Sequence, residues 1–266
     1  MKSTIKTSLI CLALLAAFGA KSAMAEKYTM YVPAKGVIVS QEPTEPLVPG
    51  TPTDFAYSGK IDTYVVPTSG KYILEAYGGQ GGYRSNYSSG TGFGAVMKCA
   101  VTLQAGTTLK ILVGGAGVTT AFYAGAAGGT FIATSNNVPL VVAGGGGGGA
   151  AYYGGYPGVA TNTGDTGPGT SAGFNNGAGF LGDSATAKSF VNGGASPQGT
   201  GGFGGGGGYQ GGGGGYSGGG SDAKNISGKG GTSFCSGELL EGVTGGWGNP
   251  QEWQPVWNGR ASVKKQ

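Results

Sequence analysis

The sequence predicts an all-β protein: an antiparallel β-sandwich or jelly roll into which a bundle of polyglycine II helices is inserted. Three observations carry that prediction. Short runs rich in Val, Ile, Thr and Tyr recur roughly 8–15 residues apart, with Gly, Pro, Ser and Asp between them. No convincing amphipathic helical period appears after residue 25. And between residues 144 and 220, 34 of 77 residues are glycine, too many for an ordinary set of connecting loops.

The N-terminus comes first. Lys2 and Lys6 precede an apolar stretch over residues 9–20, and Ala23-Met24-Ala25 follows. Basic segment, short apolar core and small-x-small site stand in the order of an export signal, with cleavage between Ala25 and Glu26. The apolar stretch is about 12 residues, and a membrane span needs roughly 20. The expected organisation is a signal over residues 1–25, an extended proline-rich segment over 26–53, and a glycine-rich β domain over 54–266. No later segment reads as a membrane span. The expected address is outside the cytoplasm: medium, cell surface or periplasm.

Composition narrows the function. The chain has 16 basic and 12 acidic residues. Lys2, Lys6 and Lys21 leave with the signal, so 13 basic groups face 12 acidic ones and the remainder is near neutral. That gives no basic surplus for nucleic acid. There is no histidine, which removes Ser-His-Asp and Cys-His catalysis and His-ligated metal. No cofactor or metal site is expected, and no catalytic role. After cleavage two cysteines remain, Cys99 and Cys235. An exported chain can keep a bridge between them; the alternative is two buried thiols.

The strand candidates follow in order. Residues 62–67 lead to a Ser69-Gly70 turn, and residues 71–77 form the next strand. Residues 94–103 and 108–113 are joined by Ala105-Gly106, and residues 129–133 and 139–143 come next. A last strand is expected from Arg260 to Val263. All three tryptophans, Trp247, Trp253 and Trp257, lie just before it. They read as a loop packed over the end of the sandwich, the alternative being an aromatic platform for saccharide.

The glycine tract has two readings, a flexible linker and packed polyglycine II rods. The second is favoured. The run 144–149 follows directly on Val141-Val142-Ala143, and the runs nearly lack Ser, Lys and Glu. Fixing a backbone costs about 1–2 kcal/mol per residue, with glycine at the unfavourable end. With no side chains to bury, only N–H···O=C bonds between rods can offset that. Such bonds need backbones so close that a Cβ would clash. A six-residue rod is roughly 19 Å long. The rods are then scaffold, and the residues that break them are exposed tips suited to binding. Tyr152, Tyr153, Tyr156, Tyr209 and Tyr216 are the candidate ligand contacts. Tyrosine offers rigid amphipathic area at low entropy cost, and the alternative is that these rings seal the glycine block.

Further phrases carry a resemblance. Phe55-Ala56-Tyr57-Ser58-Gly59, Tyr64-Val65-Val66-Pro67 and Leu74-Glu75-Ala76-Tyr77-Gly78-Gly79-Gln80-Gly81-Gly82 come first. Leu109-Lys110-Ile111-Leu112-Val113-Gly114-Gly115-Ala116-Gly117, the strand-to-glycine step at 140–148 and Gly230-Gly231-Thr232-Ser233-Phe234 follow. In this order they resemble the glycine-rich domain of the anaplastic lymphoma kinase and leukocyte tyrosine kinase receptors, over roughly residues 54–236. Bacterial exported proteins carry similar domains. The stacked rods are also similar to those of phage tail-tip adhesins. The resemblance implies a tumour-necrosis-factor-like sandwich and a role in recognition. No kinase accompanies it, so the receptors' ligand is not carried over. The partner expected is a surface glycan or protein; self-association into a wall, matrix or biofilm component is the alternative, and an oligomer is compatible with either.

Overall fold

Sheet-forming alternation explains the first half of the architecture. In β3 (Gly70–Tyr77) the side chains of Tyr72, Leu74 and Ala76 are buried, while Lys71 faces water. β5 (Val96–Leu103) pairs with it antiparallel, setting Cys99 opposite Leu74 and Lys98 opposite Glu75. The Lys98 ammonium lies 2.9 Å from the Glu75 carboxylate on the outer face. β12 (Arg260–Lys265) flanks β3 on its other side, β1 (Thr53–Ala56) pairs with β12, and β10 (Glu238–Val243) pairs with β5. The sheet order is β1-β12-β3-β5-β10.

The second sheet has the order β2-β6-β7-β8-β9, with β2 (Ile61–Val65), β6 (Thr108–Leu112), β7 (Thr130–Thr134), β8 (Pro139–Ala143) and β9 (Phe234–Cys235). It is buried on both faces. Leu109, Ile111, Ile132 and Val141 point into the sandwich core, against Tyr72, Leu74, Met97 and Val263. Leu112, Phe131 and Val142 point the other way, under Phe180 and Phe190. That is why β7 and β8 read as nearly continuous apolar runs, whereas β3 alternates. A two-stranded ladder, β4 (Thr91–Gly92) with β11 (Trp247–Gly248), completes the strands. A 3-10 turn at Phe190–Asn192 is the helical element among the described residues.

These assignments come from a computed structural model that describes residues 50–87, 90–150, 153–161, 175–196, 201–203, 211–220, 227–248 and 257–266. All belong to the unit Leu47–Gln266. The expected signal, Ala25 and Glu26, the extended segment to residue 49, Tyr152, Tyr209 and Trp253 lie outside the described residues. Cys99 and Cys235 are joined by a disulfide with Cα atoms 6.0 Å apart. The bridge ties β5 of one sheet to β9 of the other. It closes a loop of 136 residues, for which restriction of the unfolded chain contributes about 2–5 kcal/mol.

Residues 144–149 leave β8 and run through the middle of the glycine-rich segments. Their amides donate in rotation: Gly145 and Gly148 to Gly214 and Gly211, Gly146 and Gly149 to Gly79 and Gly82, and Gly147 to Tyr156, at 2.8–3.0 Å. Their carbonyls accept in rotation too: Gly144 and Gly147 from Ala95 and Gly92, Gly145 and Gly148 from Gly231 and Gly228, Gly146 from Ala127. Residues i and i+3 thus meet the same neighbour. Each is buried. The approach leaves no room for a side chain: a Cβ on Gly144, Gly146 or Gly147 would overlap the carbonyl oxygen of Gly231, Gly92 or Gly228.

That geometry sets an expected outcome. Gly147→Ala should destabilise the fold by about 3 kcal/mol or more, because the obstruction is a backbone carbonyl held on both sides. Gly242→Ala on β10, where the nearest atom to a Cβ lies at 3.6 Å, should change stability by less than about 0.5 kcal/mol. Urea denaturation of the two variants measures the contrast; equal midpoints would refute it.

Candidate ligand-binding surface

The period of three that orders the glycine segments also decides where a side chain can stand. After the run 144–149 the chain turns and runs back over residues 153–158. Gly155 and Gly158 face the carbonyls of Gly147 and Gly144, and Gly154 faces Gly90. One direction around this segment is therefore closed by backbone, and a second, carrying Gly154 and Pro157, lies against Gly90 at its Gly154 end. Tyr153 and Tyr156 occupy the third, three residues apart.

The backbone beneath them is fixed. The Tyr153 carbonyl accepts from the Ala150 amide and from the Ser227 hydroxyl, both at 2.7 Å. The Tyr156 amide donates to Gly228 and its carbonyl accepts from Gly147, both at 2.9 Å. The rings remain available: Tyr153 is 62% and Tyr156 43% exposed. Tyr156 meets a third exposed ring, Trp247, edge to face at a centroid distance of 5.1 Å. Trp247 stands on β11, opposite Gly92 of β4. Gly92 is itself closed to a side chain by the Tyr156 carbonyl. Aromatic rings presented in this way suit apolar contact with an edge-on polar rim, as a sugar ring or a peptide side chain offers.

Tyr216 is placed differently. Its ring stacks on Phe234 at 4.4 Å and lies 6.2 Å from Phe180. It packs against the cluster of Leu112, Phe131, Val142, Phe180 and Phe190 on the outer face of the second sheet. Phe190 continues the stack, 4.9 Å from Phe180 and 5.3 Å from Phe131. The segment carrying these rings is pinned by Asp183. Burial alone would raise the Asp183 pKa. The Lys188 ammonium at 2.8 Å, the Ser189 amide at 2.8 Å and the Asn192 amide at 2.9 Å outweigh it and hold the carboxyl well below its usual range. Thus Tyr153, Tyr156 and Tyr216 are not brought together: two stand in water and one covers a sheet.

Sequence reasoning named Tyr153 and Tyr156 and passed over Trp247 as a contact, reading it as loop packing. The signal for the pair was their place just after the glycine run 144–149, where the run is broken. Nothing local tells that Trp247, 91 positions later, lies against Tyr156. No family model matches the chain, and no curated protein matches it.

The two environments separate in stability. Tyr216→Ala should cost about 2 kcal/mol, since a half-buried stacked ring is removed from an aromatic cluster. Tyr153→Ala should stay within about 0.5 kcal/mol of the parent. Thermal unfolding followed by circular dichroism measures both, and a Tyr153 loss as large as that of Tyr216 would show the exposed ring to be structural.

Proposed function

We propose that this chain is an exported, non-enzymatic recognition or adhesion protein, which binds a surface glycan or protein through aromatic side chains on a block of polyglycine II helices. The observation that carries the reading is the solvent-facing set Tyr153, Tyr156 and Trp247, held on backbone that is hydrogen-bonded on its other sides. A rigid presenting backbone means that little freedom is lost on binding. The threefold repetition of contacts along 144–149 supports the polyglycine II assignment, whose helix has three residues per turn and no internal hydrogen bonds. The disulfide is compatible with an oxidising compartment outside the cytoplasm. No helix among the described residues is long and apolar enough to cross a membrane. The lack of histidine argues against the commonest hydrolytic machinery. The sequence likeness to the receptor glycine-rich domains and to phage tail-tip adhesins points the same way.

A glycan array and a cell-binding assay with the secreted protein test this reading. Binding is expected to at least one glycan or cell surface. Tyr156→Ala and Trp247→Ala should weaken it about tenfold or more without loss of fold. No binding anywhere, or variants that bind as the parent does, would overturn it.

The structural alternative has one observation in its favour. β10 lies at the edge of its sheet, all six of its residues are exposed, and Leu239, Leu240 and Val243 are among them. An exposed apolar edge is a template for pairing with another strand. If self-association is the role, sedimentation velocity will show a concentration-dependent oligomer that Leu240→Lys dissolves. A monomer at every concentration removes that alternative.

A further inference from the structure

A groove of about 560 Å³ opens where the first sheet hands over to the glycine segments, lined by Tyr77, Gln80, Phe93, Trp257 and Arg260 among others. Its volume is in the range of small-ligand sites, roughly 300–1,000 Å³. The period of three places its wall. In residues 78–82, Gly78 and Gly81 face the carbonyls of Gly144 and Gly147, and Gly79 and Gly82 face those of Gly115 and Val118. The remaining direction carries Gln80, three residues beyond Tyr77.

Gln80 is 3% exposed and clamps the returning chain. Its side-chain Oε1 accepts from the Trp257 amide at 3.1 Å, and its own amide donates to the Trp257 carbonyl at 2.9 Å. Asn258 accepts the Ala116 amide at 2.8 Å, and the Gly259 amide donates to Gly114 at 2.9 Å. The backbone under Trp257 is therefore fixed, and the residue is 53% exposed. Arg260 follows, on β12 opposite Tyr77. Its guanidinium sits 4.0 Å above the Tyr77 ring. Among the described residues it makes no ion pair. The nearest carboxylate on that face of β3, Glu75, is held by Lys98 at 2.9 Å.

We propose that this groove binds a carboxylate-bearing pyranose, a uronic or sialic acid residue of a glycan. The aromatic walls take the apolar face of the sugar ring. The Arg260 fork takes the carboxylate in a bidentate pair, its guanidinium already seated over the Tyr77 ring. Among the described residues Arg260 is the one cation in the lining, which matches one negative charge, as a carboxylate carries and a phosphate dianion exceeds. The lining does not include Tyr153, Tyr156 or Trp247, and the proposal does not depend on their role.

Titration of the full secreted chain with methyl β-glucuronide, methyl α-sialoside, methyl β-glucoside and acetate tests the proposal, read by tryptophan fluorescence and calorimetry. One of the two acidic glycosides should saturate, with the glucoside and acetate each at least tenfold weaker. Arg260→Gln should remove that preference, leaving the acidic glycoside no tighter than the glucoside. Trp257→Ala should weaken both sugars, and Tyr153→Ala neither. Unchanged thermal unfolding of Arg260→Gln and Trp257→Ala separates binding from folding. No saturation by either acidic glycoside at millimolar concentration overturns the proposal, as do acetate binding as tightly as the glycoside and an Arg260→Gln variant that keeps the preference.

Discussion

Direct bonding of backbone to backbone, at a separation that admits no Cβ, is the constraint on which the rest of this structure depends. Residues 144–149 donate to three neighbouring segments and accept from three others. The bonds replace the side-chain burial that glycine cannot provide. Each is worth only about 1 kcal/mol net, and each fixed glycine costs at least that much in chain entropy. The block is therefore not self-sufficient. It is stable where the segments entering it are already held.

The sandwich supplies that hold. β3, β6 and β8 end directly in glycine segments at residues 78, 114 and 144, so three strands already fixed by a buried core aim their extensions at one another. β9 follows the segment 227–231 and is tied by Cys235 to Cys99. The second sheet takes a cover of Phe180, Phe190 and Tyr216 on its outer face, which joins the loop 175–196 to the same body. The glycine block thus starts at one end of strands whose middle is held by the core and the disulfide.

Much of this was legible in the sequence, for identifiable reasons. The strands of residues 70–77, 96–103, 108–112, 130–134 and 139–143 were expected within two residues, because each has β-branched or aromatic residues bounded by Gly, Pro or Ser. β10 was missed: Glu238-Leu239-Leu240-Glu241-Gly242-Val243 has no strict alternation, and its pairing has a bulge between Leu239 and Glu241. β4 and β11 have two residues each and exist only through one another. For Cys99 and Cys235 the sequence left two readings, a bridge and two buried thiols, and the structure has the bridge. What the tyrosines do was not legible, because Tyr153 and Tyr216 have similar glycine-rich neighbours. Only the partner across space, solvent for one and Phe234 for the other, tells them apart.

The same constraint changes the picture of where recognition can occur. If side chains were confined to reversals between rods, a binding surface would be a set of loop tips. Contacts repeating every three residues leave another option: the flank of an outer segment, where neighbouring backbone closes one or two directions and the third is free. Tyr153 and Tyr156 use that free direction toward solvent, and Tyr77 and Gln80 use it toward the groove. Where such a position faces solvent, as at Tyr153 and Tyr156, a change of side chain leaves the block untouched; where it faces the groove, as at Gln80, the side chain also holds the returning chain at Trp257. Insertion of one residue is another matter. It turns every following position by a third of a turn, sending a tyrosine against backbone and a glycine to the surface, much as a one-residue slip exchanges the faces of a strand. The block thus separates two demands on the sequence: glycine wherever a position faces neighbouring backbone, as at every position of 144–149, and free choice where an outer segment faces solvent, as at Tyr153 and Tyr156.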